Sequence, residues 1–313
     1  MDAATLFAPL PRLLAHLAVL LLMPPLLLGL IAKVKAGFAG RNGPPLLQPW
    51  RDILKLLRKG TVTSRTTTWV LRLGPVGGVA SAALAGLLVP LGGVAAPFGF
   101  SGDLLLVAYL FALGRFCTIL SALDSGSAFT GMGASREAAF ACLAEPALFL
   151  GFVALALLLP AGAELTLGNL LAAAPQGWAA TGGGLALVMA AWLVVLLVEN
   201  CRIPFDDPNT HLELTMIHEV MVLDHSGPAL GLIHYGAALK FTVLGLLVLG
   251  LVLPRTGGLV ADLALGVGGL LALAVSVGVI ESSMARVRLL RVPALLVAAT
   301  LFAGFGVILI ALR

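Results

Sequence analysis

The chain has 313 residues, of which 60% are hydrophobic and 11% are charged. A soluble globular domain carries about 25% charged residues, so this composition excludes the soluble classes and indicates a membrane protein. The formal net charge is +4, but in a membrane protein the location of the basic residues matters more than their sum. Cys117, Cys142 and Cys201 are far apart, which indicates neither a disulfide framework nor a thiolate metal site.

Eight stretches are apolar enough to cross the hydrocarbon core, which takes about 20 helical residues. The first is too long and too interrupted by proline for a signal peptide, so we expect it to be a permanent span. The expected fold class is an all-α integral membrane protein, with residues 1–313 in one membrane domain. The predicted spans cover residues 13–32, 73–95, 103–122, 137–160, 181–199, 228–253, 259–281 and 292–312.

Loops rich in lysine and arginine alternate along the chain with loops that contain almost none. Most of the 19 basic residues fall on one side, and the excess of both residue types marks cytoplasmic loops. We therefore expect both termini to face outward from the cell inner (cytoplasmic) membrane. The basic residues on the predicted cytoplasmic side are Lys33, Lys35, Arg41, Arg51, Lys55, Arg58, Lys59, Arg65, Arg72, Arg136, Arg202, Arg286, Arg288 and Arg291.

The segment PWRDILKLLRKG follows the first span and is too short and too charged to cross. As a helix over about residues 49–59 it is amphipathic, which is typical of a segment in the membrane interface. It is either a simple anchor or a docking surface for a cytoplasmic partner. Its apolar face carries Trp50, Ile53, Leu54 and Leu57. Its charged face includes the three docking candidates Arg51, Lys55 and Arg58.

The stretch ENCRIPFDDPNTHLELTMIHEVMVLDHSG joins spans five and six as a cytoplasmic loop over about residues 199–227. Pro204 and Pro208 predict a non-helical turn, because proline disfavours helix in the residue before it. From Asn209 onward the pattern predicts a helix, with Asp206, Asp207 and Asn209 as capping candidates. Its apolar stripe contains Leu212, Met216, Val220 and Leu223.

The same loop concentrates titratable groups. His211, His218 and His225 recur every seven residues, about 10 Å apart along a helix, which is too far for two of them to share a metal. The sequence HEVMV also lacks the second histidine of a zinc motif. The loop is either a solvated connector or a proton-handling segment. Its proton-path candidates are Glu199, Asp206, Asp207, His211, Glu213, His218, Glu219, Asp224 and His225.

Charged residues also lie inside the predicted spans. Glu145 and Glu281 are further proton-path candidates, and Arg115 and Lys240 are intramembrane bases. A charge at the bilayer centre costs about 2.5 to 3.5 kcal/mol on insertion scales, so each must have a partner, a proton or water. Pairing of Arg115 or Lys240 with Glu145 or Asp124 is one interpretation, and ion conduction is the other.

Four motifs together resemble one family. The loop above and RNGPPLLQPWRDILKLLRKG are similar to two segments of respiratory complex I subunit 1. GASREAAFACLAEPAL and ESSMARVRLL are more similar to the membrane subunit of group 4 energy-converting nickel–iron hydrogenases, the type called formate hydrogenlyase subunit 4 or hydrogenase-4 component C. The resemblance covers essentially the whole chain.

The resemblance implies an eight-helix subunit with no active site and no bound cofactor or metal. Its implied role is to dock a cytoplasmic redox arm and couple electron transfer to proton or sodium translocation. The implied partners are hydrogenase-like large and small subunits, an iron–sulfur subunit and antiporter-like membrane subunits in the lipid bilayer. Nickel–iron and iron–sulfur centres are expected in those partners, and nucleic acid is not expected.

Within the resemblance, Glu213 matches an acid of the family loop, Asp224 and His225 stand at its end, and His211 and Asn209 replace two acids. Quinone-reducing relatives keep that acidic loop, so a quinone-chamber subunit of a complex I-type NADH dehydrogenase is the alternative function. A stand-alone secondary transporter would show an internal repeat. The Pro24 and Pro25 break in span one has no counterpart around span five, so a stand-alone secondary transporter is the less favoured function.

Overall fold

The computed structural model describes residues 10–206 and 216–313. These residues form ten α-helices, and a short 3₁₀ turn at Leu289–Arg291 leads into the last of them. The helices are α1 Leu10–Phe38, α2 Gln48–Leu57, α3 Val70–Leu88, α4 Asp103–Asp124, α5 Ala128–Ala156, α6 Leu167–Glu199, α7 His218–Met221, α8 Gly227–Gly250, α9 Leu259–Ser283 and α10 Val292–Ala311.

Eight of these helices are long and apolar enough to cross a membrane, which confirms the predicted all-α membrane fold. Helix α8 lies at the centre of the bundle, because most of its apolar residues are buried, whereas most of those in the last span are not. Helices α3, α1, α2, α6 and α9 pack around α8, and α10 packs across α5 and α6 at the periphery. The centre of the bundle therefore forms around α8.

Helix α5 begins at Ala128, nine residues before the predicted start of its span. The prediction placed Arg136 immediately before the span and began the span at residue 137. In the structure both side chains are accommodated within the protein. Arg136 donates a hydrogen bond to the carbonyl oxygen of Met216 at 2.8 Å, and Glu137 is only 9% exposed. Helix α5 therefore carries both charged residues well inside its length.

Helix α6 is also longer than predicted, since it begins at Leu167 in a stretch that was expected to be an outer loop. The Thr166 hydroxyl accepts a hydrogen bond from the Asn169 backbone N–H at 3.1 Å and so caps the helix. Thr181 has non-helical angles of φ −125° and ψ 23°, six residues after Pro175. Span five therefore contains a break, and the expectation that it has none is wrong.

The loops assemble at two opposite ends of the bundle. At the end that we call the basic end, which carries residues 39–69, 200–206, 216–226 and 284–291, Val287 donates a backbone hydrogen bond to Pro204 at 2.9 Å. At the other end the Asp103 carboxylate accepts a hydrogen bond from the Leu167 N–H at 2.7 Å. Because the spans alternate in direction and are even in number, Leu10 and Ala311 lie at this second end.

The amphipathic helix predicted after span one is present as α2. Its apolar face is divided between the protein and the surroundings. Ile53 is 5% exposed and Trp50 donates a hydrogen bond to the Leu22 carbonyl oxygen at 3.2 Å, whereas Leu54 and Leu57 are 49% and 43% exposed. One half of that face therefore holds α2 on the bundle, and the three docking candidates of its charged face are exposed.

The loop between α6 and α8 departs from its predicted helix. Pro204 lies in the expected non-helical turn, but the only helix in its described part is the single turn α7, so Met216 and Leu223 are not helical. The Asp206 carboxylate accepts a hydrogen bond from the Ile217 N–H at 2.9 Å, immediately before α7. Tertiary contacts thus override the helical pattern. Asp207, Pro208, Asn209, His211, Leu212 and Glu213 lie outside the described residues.

Candidate functional site

A chain of ion pairs crosses the interior of the bundle. Arg115 of α4 donates through Nη1 to Glu199 at the end of α6, at 2.5 Å, and through Nη2 to Glu145 of α5. The Lys240 ammonium of α8 lies 2.6 Å from the second oxygen of Glu199. Four helices therefore contribute one charged side chain each to a single cluster, which we call the central charge cluster: Arg115, Glu145, Glu199 and Lys240.

Arg115 pairs with Glu145, which is the pairing that one of the two interpretations of the intramembrane charges predicted. Lys240 instead pairs with Glu199, a residue whose position at the end of the apolar run had suggested a loop carboxylate. Asp124 belongs elsewhere, because it accepts hydrogen bonds from the backbone N–H groups of Thr68 at 2.7 Å and Leu71 at 3.1 Å. Asp124 therefore caps the start of α3, and it does not balance an intramembrane base.

Exposure differs sharply along the central charge cluster. The side chains of Arg115 and Glu199 are each 8% exposed, whereas that of Glu145 is 43% exposed. A cavity of about 70 Å³, lined by Tyr109 and Phe149 among others, adjoins Arg115, Glu145 and Glu199. The cluster thus extends from the buried end of α6 to a carboxylate at the surface of the helix bundle.

A larger cavity of about 90 Å³ lies beside the cluster, toward the basic end. Helices α3, α4, α5 and α8 enclose it together with the turn that follows α6. This volume has room for a few water molecules. It is well below the 300 to 1,000 Å³ of common small-molecule sites. Its polar lining is contributed by Arg115, Glu137, Glu199, Asn200, His218 and Lys240.

Glu137 is a site residue that the sequence analysis missed. It is 9% exposed, lines the larger cavity, and its Oε2 lies 3.9 Å from the Cys201 thiol, which can donate a weak hydrogen bond to it. The available signal was an acid two helical turns before Glu145, in the same run GASREAAFACLAEPAL. The predicted span began at residue 137, and this acid was not considered among the intramembrane charges.

His218 and His225 occupy different places, in agreement with the expectation that they do not share a ligand. His218 lines the larger cavity, and burial together with the positive charge of Lys240 lowers the pKa of its imidazole to about 4. The His225 ring lies 3.0 Å from the Ser121 hydroxyl of α4, and burial lowers its pKa. Both histidines are therefore neutral at pH 7.

The remaining predicted acids lie outside the central charge cluster. Glu281 is fully buried between Lys35 at 2.7 Å and Arg202 at 3.3 Å. Asp206 pairs with Arg286 at 3.0 Å. Glu219 is partly buried, which raises the pKa of its carboxyl group, and Asp224 is exposed. The structure therefore brings Glu145, Glu199 and His218 toward one region and holds Glu281 and Asp206 in separate ion pairs.

Comparison with known proteins agrees with this architecture. Residues 12–312 match the family described as NADH dehydrogenase. Formate hydrogenlyase subunit 4 of Escherichia coli (strain K12) is 32% identical and the match covers 92% of each chain. Hydrogenase-4 component C of the same organism is 35% identical over 77% of this chain and 74% of that relative.

More distant matches extend the same relationship. A membrane-complex relative from Bordetella pertussis, a subunit of NADH-quinone oxidoreductase, is 29% identical over 66% of this chain and 57% of that relative. A chain in the structure of the membrane-bound sulfane sulfur reductase, an archaeal respiratory membrane complex, has a TM-score of 0.80 over 96% of this chain and 99% of its own. At 21% identity that likeness shows the fold alone. The predicted resemblance is confirmed, and the chain belongs to the NADH dehydrogenase family.

Proposed function

We propose that this chain is the membrane-anchor and coupling subunit of an energy-converting, hydrogenase-type complex. In this role it docks a redox arm at the basic end and links electron transfer to the movement of protons or sodium ions. The similarity to formate hydrogenlyase subunit 4 and hydrogenase-4 component C supports the assignment to such a complex. The single observation that carries the coupling role is the central charge cluster.

The central charge cluster supports a coupling role because its charged groups lie inside membrane spans, where they are energetically unfavourable. Each charged group inside a membrane span is unfavourable, and groups kept there generally mark an ion or proton path. Arg115 links Glu199, beside the loop at the basic end, to Glu145 at the bundle surface. A change in charge or position of the loop can therefore act on Glu145 through two direct ion pairs.

The proposed partners provide the chemistry that this chain does not supply. Hydrogenase-like large and small subunits and an iron–sulfur subunit would hold the nickel–iron and iron–sulfur centres. Antiporter-like membrane subunits would receive the ions beside the bilayer-facing helices. Within this assembly, the chain itself contributes the charged path and a docking surface, and no cofactor.

The docking role predicts the behaviour of α2. Reversal of Arg51, Lys55 and Arg58 to glutamate should release the redox arm while the subunit still inserts, because the three side chains are exposed at the basic end. Affinity purification through a tag on this chain would measure how much arm is recovered. Reversal of Arg313, at the other end, is the control. Full recovery of the arm with the triple variant would assign α2 to membrane anchoring alone.

The proposed orientation places the basic end in the cytoplasm and both termini outside. Single cysteines at Thr63 and Glu164, which are exposed at opposite ends of the bundle, report the two sides. The exposed Cys142 is first replaced by serine to remove background labelling. An impermeant thiol reagent added to intact cells should label the Glu164→Cys variant and spare the Thr63→Cys variant. The reverse labelling pattern would invert the orientation.

A quinone-chamber subunit is the second candidate, and the match to a subunit of NADH-quinone oxidoreductase favours it. The larger cavity within this chain, at about 90 Å³, is smaller than a common small-molecule site. The purified complex distinguishes the two candidates. Hydrogen evolution without quinone reduction supports the hydrogenase assignment, whereas quinone-dependent NADH oxidation supports the alternative.

A further inference from the structure

The charged groups of the larger cavity and of the adjoining central charge cluster, taken together, do not balance. Arg115 and Lys240 are positive, whereas Glu137 and Glu199 in the cavity and Glu145 beside it are carboxylates. Arg115 and Lys240 are both engaged by Glu199, and Arg115 also by Glu145. Among the described residues no lysine or arginine forms an ion pair with Glu137. One negative charge is therefore uncompensated when every carboxylate is ionised.

Neighbouring groups cannot supply the missing positive charge. The pKa of His218 is lowered to about 4, so its imidazole is neutral at pH 7. Burial raises the pKa of the Cys201 thiol, so that group is neutral as well. Arg202 is directed to Glu281, and Arg286 pairs with Asp206. The groups that face or influence Glu137 are Arg115, Lys240, Glu199, Cys201, Asp206 and His218.

The position of Glu137 makes an uncompensated charge expensive. Its side chain is about nine-tenths buried, and an isolated buried carboxylate either acquires a counter-ion or takes up a proton. Two residues that line the same cavity, Asn200 and His218, carry buried polar atoms without a hydrogen-bond partner in the described protein, Asn200 Oδ1 and His218 Nε2. The cavity thus combines an acid without an ion-pair partner, residues with unpartnered polar atoms, and space for water-sized species.

We propose that this cavity binds one monovalent cation at Glu137, either a proton on its carboxyl group or a sodium ion beside it. This inference rests on the proposed function and deepens it, because it names Glu137 as the group that loads the ion entering the central charge cluster. Glu199 is then a fixed charge, held ionised by its two basic partners. Loading of Glu137 changes the net charge beside Arg115 and so links the loop to Glu145.

Infrared difference spectroscopy of the purified complex tests this site without turnover. In sodium-free buffer, the parent complex should show one protonated carboxyl signal that disappears as the pH is raised. The Glu137→Gln variant should lose that signal, and Glu164→Gln, the same substitution at an exposed acid, should keep it. Addition of sodium to the parent separates the two ions. Loss of the signal identifies sodium as the ligand, and its persistence identifies the proton.

A second variant keeps the test decisive if Glu137→Gln does not assemble. Glu137→Asp retains the acid and should shift the pH at which the carboxyl signal disappears. A signal that is unchanged in Glu137→Asp, or that persists in Glu137→Gln, would overturn the proposal, as would the absence of both a carboxyl signal and sodium binding in the parent. Because the readout needs no ion pumping, failure here leaves the coupling role of Glu199 and Glu145 standing.

Discussion

Replacement of Arg115 by methionine is expected to lower the free energy of unfolding by about 3 to 5 kcal/mol, the range for removing one partner of a buried ion pair. Arg115 is 8% exposed and is the only group that contacts both Glu145 and Glu199 among the described ion pairs. Its loss leaves Glu199 with Lys240 alone and Glu145 with no basic partner. Methionine keeps a similar length and removes the charge.

Thermal unfolding of the detergent-solubilised subunit measures this loss. The exposed Arg72 of α3 provides the matched control, and Arg72→Met should stay within about 0.5 kcal/mol of the parent. Addition of Glu145→Gln to Arg115→Met should recover part of the stability, because it removes the carboxylate that the first change strands. If Arg115→Met and Arg72→Met unfold at the same temperature, the ion pairs contribute little and the cluster is not a structural unit.

The second large effect is expected on ion movement. Glu199→Gln keeps the size and hydrogen-bonding capacity of the side chain but cannot ionise. Both Arg115 and Lys240 then lose their shared carboxylate, so the electrostatic link between the loop and Glu145 is broken. We expect a nearly complete loss of ion translocation, because the fixed charge that links the loop to Glu145 is removed, while electron transfer in detergent is retained. Glu145→Gln should act in the same direction.

Much of the fold could be predicted from the sequence because it depends on local properties. Eight apolar runs predicted the eight spans, and the amphipathic pattern of PWRDILKLLRKG predicted α2. The errors occur where a polar residue resembles the end of a span in the local sequence but is bonded, in the fold, by a residue that is distant in the chain. Arg136 ends the apolar run locally, but the Met216 carbonyl oxygen accepts its hydrogen bond, so α5 continues through it. Thr181 breaks α6 within a glycine-rich stretch that resembled a loop.

The site was only partly predictable for the same reason. The cost of an intramembrane charge identified Arg115, Lys240 and Glu145 as residues that require partners. The ion-pair partner of each charge depends on how the helices pack against one another. The sequence of a single helix does not determine that packing. Lys240 reaches Glu199 on α6, and Glu137 turns toward the cavity instead of the polar boundary. Burial of Glu281 between Lys35 and Arg202 likewise follows from the assembly of α1, α9 and the turn after α6.

The ratio of ions moved to electrons transferred, measured in proteoliposomes that contain the purified complex, tests the coupling role most directly. Glu199→Gln is compared with the parent and with Glu164→Gln, whose exposed acid lies outside the cluster. Electron-transfer rates in detergent are determined for the same preparations. The account predicts a parental ratio for Glu164→Gln and a nearly complete loss for Glu199→Gln, with electron transfer retained in both. A parental ratio for Glu199→Gln would contradict a path through the central charge cluster.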